Sequence, residues 1–494
     1  MLTENIEKLN KLDSKLSAVF YTQSLLEWDA ETIASIGGVE ERAIVAGKIS
    51  EIYFNTFINT DVENLLEELN ERKAELDEIT KAKVSIYKRK FDNIAKIPVK
   101  DYSDYQVLIS KSYSAWEKAK NEEDFSIFAP FLEKIIIYQK KFIKLRGKSG
   151  HPYNTILDDF EPGITVEILD EFFDKLRDSI VPLVQKVCDK QSKDIDFINQ
   201  KFDIAKQAEF SEYIIPKLGF DNSRGMMTTS VHPFTLNLSR NDVRITTHFQ
   251  ENNITESIFT TIHETGHAMY EQNISEKYGL SALTTGVSMG IHESQSRLYE
   301  NNLGRNINFW NFNLPILKHL YEKELKDVSI GKWYAAVNHV KRSLIRIEAD
   351  EVTYPLHIMV RYEIEKKIFS EDIDVNELPS IWNDLYEEYL GIRPKNDAEG
   401  ILQDVHWSGG DFGYFPSYAL GSAYAAQFEK TMRKKMDIDK DLNNLEMDEI
   451  KEWLKENIHK YGSSKMPSEI IKDATGEKFN SDYYIEYLYN KYDN

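Results

Sequence analysis

One short segment restricts the possible folds of this chain more than any other. Residues 262–268 read Ile-His-Glu-Thr-Gly-His-Ala, so that His263 and His267 are four positions apart. Residues four apart lie on one face of an α-helix, and two imidazoles placed in this way can bind one metal ion. Glu264 projects about 100° around the same helix, within reach of a water at the ion. The segment therefore predicts a helix that carries a zinc site and a general base.

A third ligand is expected from another part of the chain. Catalytic zinc normally has three protein ligands and one water. Glu293 is the best candidate, because it lies 30 residues after His263 in a second segment with helical spacing. That separation allows the first helix to end and a second helix to return beside it. Most helical glutamates are merely solvated, but the weakly charged stretch 280–291 favours a buried carboxylate here.

Most of the chain has the spacing of amphipathic helices. Apolar residues recur every three or four positions, which predicts a mainly α fold. With 13 prolines, 22 glycines and no low-complexity linker, residues 1–494 are expected to form a single domain. The clearest predicted helices cover residues 61–76, 131–145, 166–187, 309–325, 341–352, 357–368 and 417–432.

Residues 226–250 break the helical pattern just before the histidine segment. Apolar and polar residues alternate there on both sides of Ser-Arg-Asn-Asp, which predicts a β-hairpin. An edge of this hairpin could receive the backbone of a peptide substrate by strand addition. A small structural sheet explains the pattern equally well, and both interpretations remain open at this point.

Composition restricts the partners and the compartment. The chain has 61 basic and 82 acidic residues, and its net charge of −21 disfavours nucleic acid and anionic membranes as partners. Cys188 is the single cysteine, which excludes an internal disulfide, and we expect it to be a buried apolar residue. The N-terminus has no apolar signal core, and no stretch of about 18 apolar residues is present. A cytoplasmic enzyme is the simplest expectation.

Six short motifs follow one another between residues 232 and 407. They are His232-Pro233-Phe234, Asp242-Val243-Arg244-Ile245-Thr246, His263-Glu264-Thr265-Gly266-His267, His292-Glu293-Ser294-Gln295, Ile345-Arg346-Ile347-Glu348-Ala349-Asp350 and Gly400-Ile401-Leu402-Gln403-Asp404-Val405-His406-Trp407. In this order they resemble the motifs of the M32 family of zinc carboxypeptidases, also known as the thermostable carboxypeptidase family.

The resemblance carries expectations about fold and activity. It implies a large helical body divided by a deep active-site cleft, with the small hairpin or sheet beside the zinc helix. It also implies a peptide hydrolase that removes single residues from free C-termini with broad specificity. A metal site that cobalt can also occupy and a homodimer are further implications of the resemblance.

A carboxypeptidase needs a fixed cation for the terminal carboxylate of its substrate. Arginine suits this role, because its planar guanidinium binds a carboxylate through two parallel hydrogen bonds. The motifs offer Arg346, which we favour for the carboxylate, and Arg244, which we favour for cleft architecture or a shared role. Each arginine alone is more often an ion-pair partner, here of Asp350 or Asp242.

Hydrogen-bond donors are also needed where negative charge develops on the scissile carbonyl oxygen. His406, Tyr414 and Tyr418 are the candidates, because they flank a glycine-rich bend at the end of the last motif. The sequence does not decide between the two tyrosines, and aromatic residues near glycines often only pack. His232 is a further polar candidate, although it could simply anchor the hairpin.

Two other functions remain open from the sequence. An oligopeptidase or endopeptidase on the same scaffold would keep the zinc ligands and Glu264 but would lack a carboxylate-binding cation. The second alternative is a non-enzymatic protein, in which the zinc is structural or the histidine motif is a relic. Structural zinc usually has four protein ligands, often cysteines, and a chain with one cysteine cannot provide such a thiolate site.

Overall fold

The computed structural model describes residues 2–147, 150–188, 190–191 and 195–493. Within these residues the chain is mainly α-helical, as the apolar spacing predicts. The helices are α1 (Leu2–Thr32), α2 (Val39–Phe57), α3 (Thr60–Glu71), α4 (Glu78–Ala95), α5 (Val99–Glu122), α6 (Ala129–Arg146), α7 (Asn154–Phe160), α8 (Val166–Cys188), α9 (Ile204–Leu218), α10 (Ile254–Gln272), α11 (Met289–Arg297), α12 (Ile307–Leu320), α13 (Ile330–Val337), α14 (Tyr354–Ser370), α15 (Leu378–Leu390), α16 (His406–Gly409), α17 (Pro416–Met432), α18 (Ile438–Asn444), α19 (Asp448–Asn457), α20 (Pro467–Thr475) and α21 (Asp482–Tyr492).

The β-structure is a three-stranded sheet directly before α10. It consists of β1 (Gly225–Thr229), β2 (Thr235–Ser239) and β3 (Asp242–Thr247), in the order β1-β3-β2. The predicted hairpin corresponds to β2 and β3, which pair antiparallel. Strand β1 pairs parallel to β3 and was not expected from the alternation alone.

Helices α10 and α11 begin at side chains that cap them. Asn253 accepts a hydrogen bond from the backbone of Glu256 at the start of α10, and Ser288 accepts one from Ile291 at the start of α11. Such caps satisfy backbone N–H groups that a first helical turn leaves unpaired. Both helices therefore start at defined positions, which fixes where their polar side chains emerge.

Glycines allow α11 to pack closely between two other helices. A Cβ atom at Gly266 of α10 would lie 2.6 Å from the carbonyl oxygen of Gln295. On the other side, a Cβ atom at Gly421 of α17 would lie 2.4 Å from the Cβ of Glu293. These distances are too short for any larger residue, so the two glycines let the backbones approach. The small residue inside the histidine motif therefore serves helix packing.

Two large apolar clusters form the interior. The main cluster extends from α5 to α21 and includes β3 and α10. A second cluster lies within α1 to α4 around Leu9, Leu66 and Phe57. Outside these two clusters, Trp28 of α1 packs edge-on against Phe234, directly before β2. Cys188 is half-buried and packs against the main cluster, less buried than expected.

The helix predicted for residues 341–352 is wrong. This segment is irregular apart from one 3-10 turn at Arg346–Glu348. Its polar groups form hydrogen bonds other than those of a helix. The backbone N–H of Arg346 donates to the Gln403 side chain, and the Asp350 carboxylate accepts a hydrogen bond from the backbone N–H of Thr353. These tertiary and capping bonds outweigh the local propensity. The other six predicted helices exist, with ends that differ by a few residues.

None of the described helices is both long enough and apolar enough to cross a membrane.

Candidate metal centre and active site

Three side chains from α10 and α11 form a candidate metal cluster, consisting of His263, His267 and Glu293. One ligand atom of each lies within 4.8 Å of the others. Nε2 of His263 is 3.9 Å from one Glu293 oxygen, and Nε2 of His267 is 3.8 Å from the other. Ligands about 2.1 Å from a tetrahedral ion are roughly 3.4 Å apart, so this donor set fits zinc once side-chain rotations bring the three atoms closer together.

The Nδ1 atoms of His263 and His267 contact partners outside the candidate metal cluster. Nδ1 of His263 is 2.9 Å from Glu300, and Nδ1 of His267 is 2.6 Å from Nδ1 of His292. His292 in turn is 2.7 Å from Glu271 through its Nε2. Partners of this kind fix the ring orientation and the tautomer of metal-binding histidines. Both Nε2 atoms are therefore directed toward Glu293.

Glu300 reaches His263 through a local change of helix type. Residues Leu298–Leu303 continue α11 as a π-helical turn, a feature that often occurs at functional sites. Arg297 and Arg305 each place a guanidinium nitrogen 3.1 Å from the Glu300 carboxylate. Burial alone would raise the pKa of Glu300, but Arg297, His263 and Arg305 outweigh it and hold the pKa well below its usual value.

Glu264 points into a buried environment beside the candidate metal cluster. Its side chain is 6% exposed, and its carboxylate accepts a hydrogen bond from the Thr235 hydroxyl at 2.6 Å. Burial raises the pKa of Glu264, while His263 and Thr235 lower it. A buried glutamate next to two helical histidines can act on a water without binding the ion itself.

Arg297, Glu300 and Thr235 also contact the candidate site, although no sequence motif singles them out. Arg297 lies 3.6 Å from Glu293 and 4.6 Å from the ring centre of Tyr354. Helical spacing was the available signal, since Arg297 and Glu300 follow Glu293 by four and seven positions. Thr235 had no such signal, because it comes from the sheet.

Arg346 belongs to a guanidinium cluster with Arg361 and Asp404. Nε and Nη2 of Arg346 donate to one oxygen of Asp404 at 3.0 and 2.9 Å, and Arg361 donates to the other oxygen at 2.7 Å. The partner of Arg346 is therefore Asp404 and not Asp350. Burial raises the pKa of Asp404, but the two arginines outweigh it and keep the carboxyl ionised. Two guanidinium groups share one carboxylate, which leaves one positive charge.

The guanidinium cluster connects to the candidate metal cluster through Tyr354. Nη1 of Arg346 donates to the Tyr354 hydroxyl at 2.8 Å. The guanidinium of Arg297 stacks on the same tyrosine ring, next to Glu293. The positive charge of Arg346 and the candidate ligands thus lie within two side chains of each other.

His406, Tyr414 and Tyr418 lie together beside Arg346. The ring centres of His406 and Tyr414 are 5.5 Å apart, those of the two tyrosines 5.1 Å apart, and Arg346 lies 5.3 Å from the Tyr418 ring. Burial lowers the pKa of His406 to about 4, so this imidazole is neutral at pH 7. Its Nδ1 is buried and has no hydrogen-bond partner within the described residues.

Arg244 and His232 lie in the sheet region and have other contacts. Arg244 makes a two-pronged ion pair with Asp242 at 2.9 and 2.8 Å, and its guanidinium lies 5.5 Å from the ring centre of Trp28. The expected Asp242 partner is present, and the contact joins α1 to the sheet. The side chain of His232 is exposed in the loop between β1 and β2.

The site combines paired helical histidines, a carboxylate from an adjacent helix and a buried glutamate beside them, and this combination is typical of zinc metallopeptidases. The chain belongs to the Carboxypeptidase Taq (M32) metallopeptidase family, whose sequence model matches residues 8–492. This membership confirms the resemblance seen in the six motifs.

The sequence is similar to those of known carboxypeptidases over nearly its whole length. Carboxypeptidase 1 of Bacillus subtilis (strain 168) is 48% identical over 476 residues, which cover 95% of this chain and 94% of that protein. Thermostable carboxypeptidase 1 of Pyrococcus furiosus is 34% identical over 493 residues, covering 99% of this chain and 98% of that protein.

A solved structure shares the fold. The M32 carboxypeptidase from Deinococcus radiodurans R1 superposes with a TM-score of 0.96 at 32% identity, covering 99% of both chains. Family and relatives support a metal-dependent carboxypeptidase over the endopeptidase alternative and over a non-enzymatic protein. M32 membership also implies a divalent metal and peptide substrates.

Proposed function

We propose that this protein is a zinc-dependent carboxypeptidase that removes single amino acids from the free C-terminus of peptides with broad specificity. The observation that carries the proposal is the excess positive charge of the guanidinium cluster, two side chains away from His263, His267 and Glu293. A terminal carboxylate is the group that would neutralise this charge. An endopeptidase substrate has no carboxylate at that position.

The candidate metal cluster would hold the ion. Nitrogen and carboxylate donors suit zinc, and cobalt accepts the same ligands. When bound, zinc lowers the pKa of water toward about 7 and polarises the scissile carbonyl. Glu300 and His292 would keep the two imidazoles in the orientation that binding requires.

The remaining steps belong to the chain's own side chains. Glu264 accepts a proton from the attacking water and delivers it to the leaving amine. Arg346, held by Asp404, binds the terminal carboxylate and thereby aligns the last peptide bond. His406, Tyr414 and Tyr418 offer donors for the charge that develops on the carbonyl oxygen. Arg244 maintains the contact between α1 and the sheet, and His232 is a polar candidate in the loop between β1 and β2.

The proposal extends to organisation and location. Residues 1–494 would act as one catalytic domain, which the continuous main core and the match of residues 8–492 support. A homodimer is proposed on the family resemblance alone. A cytoplasmic location, without nucleic acid or membrane partners, is supported by the net charge of −21 and the single cysteine.

A pair of matched substrates tests the proposal. We expect the zinc-loaded enzyme to cleave an N-terminally blocked dipeptide with a free carboxylate and to leave its C-terminal amide nearly intact. Equal rates on both would contradict the carboxypeptidase proposal and favour an endopeptidase. A Glu264→Gln variant should retain zinc and lose turnover, because its amide cannot accept the proton. Retained activity in that variant would remove Glu264 as the base.

A further inference from the structure

The hydroxyl of Thr235 lies against the carboxylate proposed as the base. Its Oγ1 donates to Oε2 of Glu264 at 2.6 Å and lies 3.1 Å from the backbone oxygen of the same residue. Among the described residues, no other side chain or backbone group forms a hydrogen bond with the Glu264 carboxylate. Thr235 is not part of the six motifs, although it directly follows the first of them.

The Thr235 hydroxyl is attached to a rigid element. Strand β2 pairs with β3, with Thr235 opposite Ile245. The preceding residue, Phe234, is bound to Thr246 through two further hydrogen bonds of its backbone, at 2.8 and 2.9 Å. Threonine is also restricted in χ1, because two heavy atoms branch from its Cβ. The donor is therefore fixed by the sheet.

The Glu264 side chain has more freedom of its own. A glutamate rotates about three bonds before its carboxylate, and the last of these has a broad preference. Its helix α10 fixes the Cα but does not determine the plane of the carboxylate. A fixed donor at one oxygen restricts the orientation of that plane and leaves the other oxygen available.

We propose that Thr235 is a positioning residue for the base, which rests on the function proposed for Glu264. Thr235 holds Oε2, and Oε1 exchanges the proton. The proton passes from the attacking water to Oε1 as the C–O bond forms. It passes from Oε1 to the amine nitrogen as the C–N bond breaks, while the Thr235 hydroxyl keeps its own proton throughout. The sheet thus supplies a part of the catalytic geometry, in addition to any contact with substrate.

Two substitutions at this position separate hydrogen bonding from packing. Thr235→Val keeps the shape and removes the donor, whereas Thr235→Ser keeps the donor and removes a methyl group. We expect Thr235→Val to lower kcat of the zinc-loaded enzyme by about 10- to 100-fold, the range expected for a misaligned catalytic group. KM and zinc content should stay within about twofold, because the substrate-binding and ligand residues are untouched. Thr235→Ser should restore kcat to within about threefold of the wild type.

A matched control is available on the same sheet. Thr229 is an exposed residue at the end of β1, so Thr229→Val introduces the same chemical change away from Glu264. This variant should keep the wild-type kcat. Equal losses of kcat and of thermal midpoint in the valine and serine variants at Thr235 would indicate a structural role and overturn the inference.

The Glu264→Gln background tests whether Thr235 acts through Glu264. Adding Thr235→Val to this background should leave the residual rate unchanged, because the proton acceptor is already absent. A further loss would show that Thr235 acts elsewhere and would overturn the inference. Full activity of Thr235→Val together with an inactive Glu264→Gln variant would contradict only the positioning role. Full activity of Glu264→Gln would instead contradict the proposed function.

Discussion

The role of Arg346 depends on the carboxylate that holds it. Asp404 binds Arg346 through Nε and Nη2, and Nη1 is directed to the Tyr354 hydroxyl. Burying a charged guanidinium costs desolvation free energy, and the two hydrogen bonds to Asp404 and the one to Tyr354 oppose that cost. The same arrangement gives a substrate carboxylate a preorganised partner, since Arg346 does not have to order itself on binding.

Substituting Arg346 by lysine tests this partner directly. Arg346→Lys keeps the charge but loses the planar guanidinium, so we expect kcat/KM on peptides with a free C-terminus to fall about 100-fold. The low rate on the amidated peptide should not change. Arg393→Lys, which alters an exposed arginine with surface partners, serves as the control. A wild-type kcat/KM in the Arg346 variant would assign the carboxylate to another residue.

The sequence was most informative about residues whose positions depend on one helix. His263 and His267 are fixed by helical spacing alone, and Glu293 required only that a second helix pack beside the first. Thr235 and Asp404 reach their partners from distant segments, and no local pattern encodes these contacts. Identifying them required the tertiary structure.

At the scale of elements, the π-helical turn after α11 connects helix geometry to metal binding. It places Glu300 against Nδ1 of His263. Predictions from spacing assume regular 3.6-residue turns, so they do not anticipate such a change. Spacing also predicts a helix for residues 341–352, and this prediction is wrong because hydrogen bonds to Gln403 and to the Asp350 carboxylate outweigh the helical pattern.

Glu300 gives a test at this scale. Glu300→Gln keeps the shape but removes the charge that orients His263, and we expect the dissociation constant for zinc to rise about 10- to 100-fold. Competition with a chromogenic chelator measures it. The side chain of Glu276 is 87% exposed, so Glu276→Gln is a suitable control. Unchanged zinc affinity in the Glu300 variant would show that His263 is held by other contacts.

Glu365 of α14 joins this helix to the segment that carries His406. Its buried carboxylate accepts hydrogen bonds from Trp407, Tyr153 and the Gly413 backbone. Burial raises the pKa of Glu365 to about 7 from an ordinary value of 4.5, although these bonds and Arg361 lower it. Between pH 4.5 and about pH 7, the folded state therefore binds more protons than the unfolded state. Stability from Glu365 is complete below pH 4.5 and is lost as pH rises to about 7.

Glu365→Gln should remove the loss of stability that Glu365 causes as the pH rises, because glutamine does not titrate. We expect its thermal midpoint, relative to that of the wild type, to increase between pH 5 and pH 7.5, by the equivalent of up to about 3 kcal/mol. Exposed Glu371 lies at the end of the same helix, and Glu371→Gln should follow the wild type. Parallel midpoints of the Glu365 variant and the wild type across this range would contradict the prediction.

At the scale of the whole molecule, we expect the free energy of unfolding to depend mainly on the apolar core and only to a small extent on a bound metal ion. The main core extends over α5 to α21, and the close contacts of α11 with Gly266 and Gly421 fix Glu293 through backbone packing. A protein of this size does not need an ion to bury enough apolar surface, in contrast to zinc fingers, which are unfolded without metal.

Removing the metal should therefore abolish activity and preserve the fold. We expect the chelated protein to keep its helical circular dichroism and to melt a few degrees lower, because an ion at 1,000 times its dissociation constant contributes about 4 kcal/mol. Added zinc should restore both the activity and the midpoint. The Glu264→Gln variant should show the same shift of midpoint without activity, which separates binding from catalysis. Loss of the helical signal on chelation would mean that the ion is needed to fold the chain, and the separation of core and centre would be wrong.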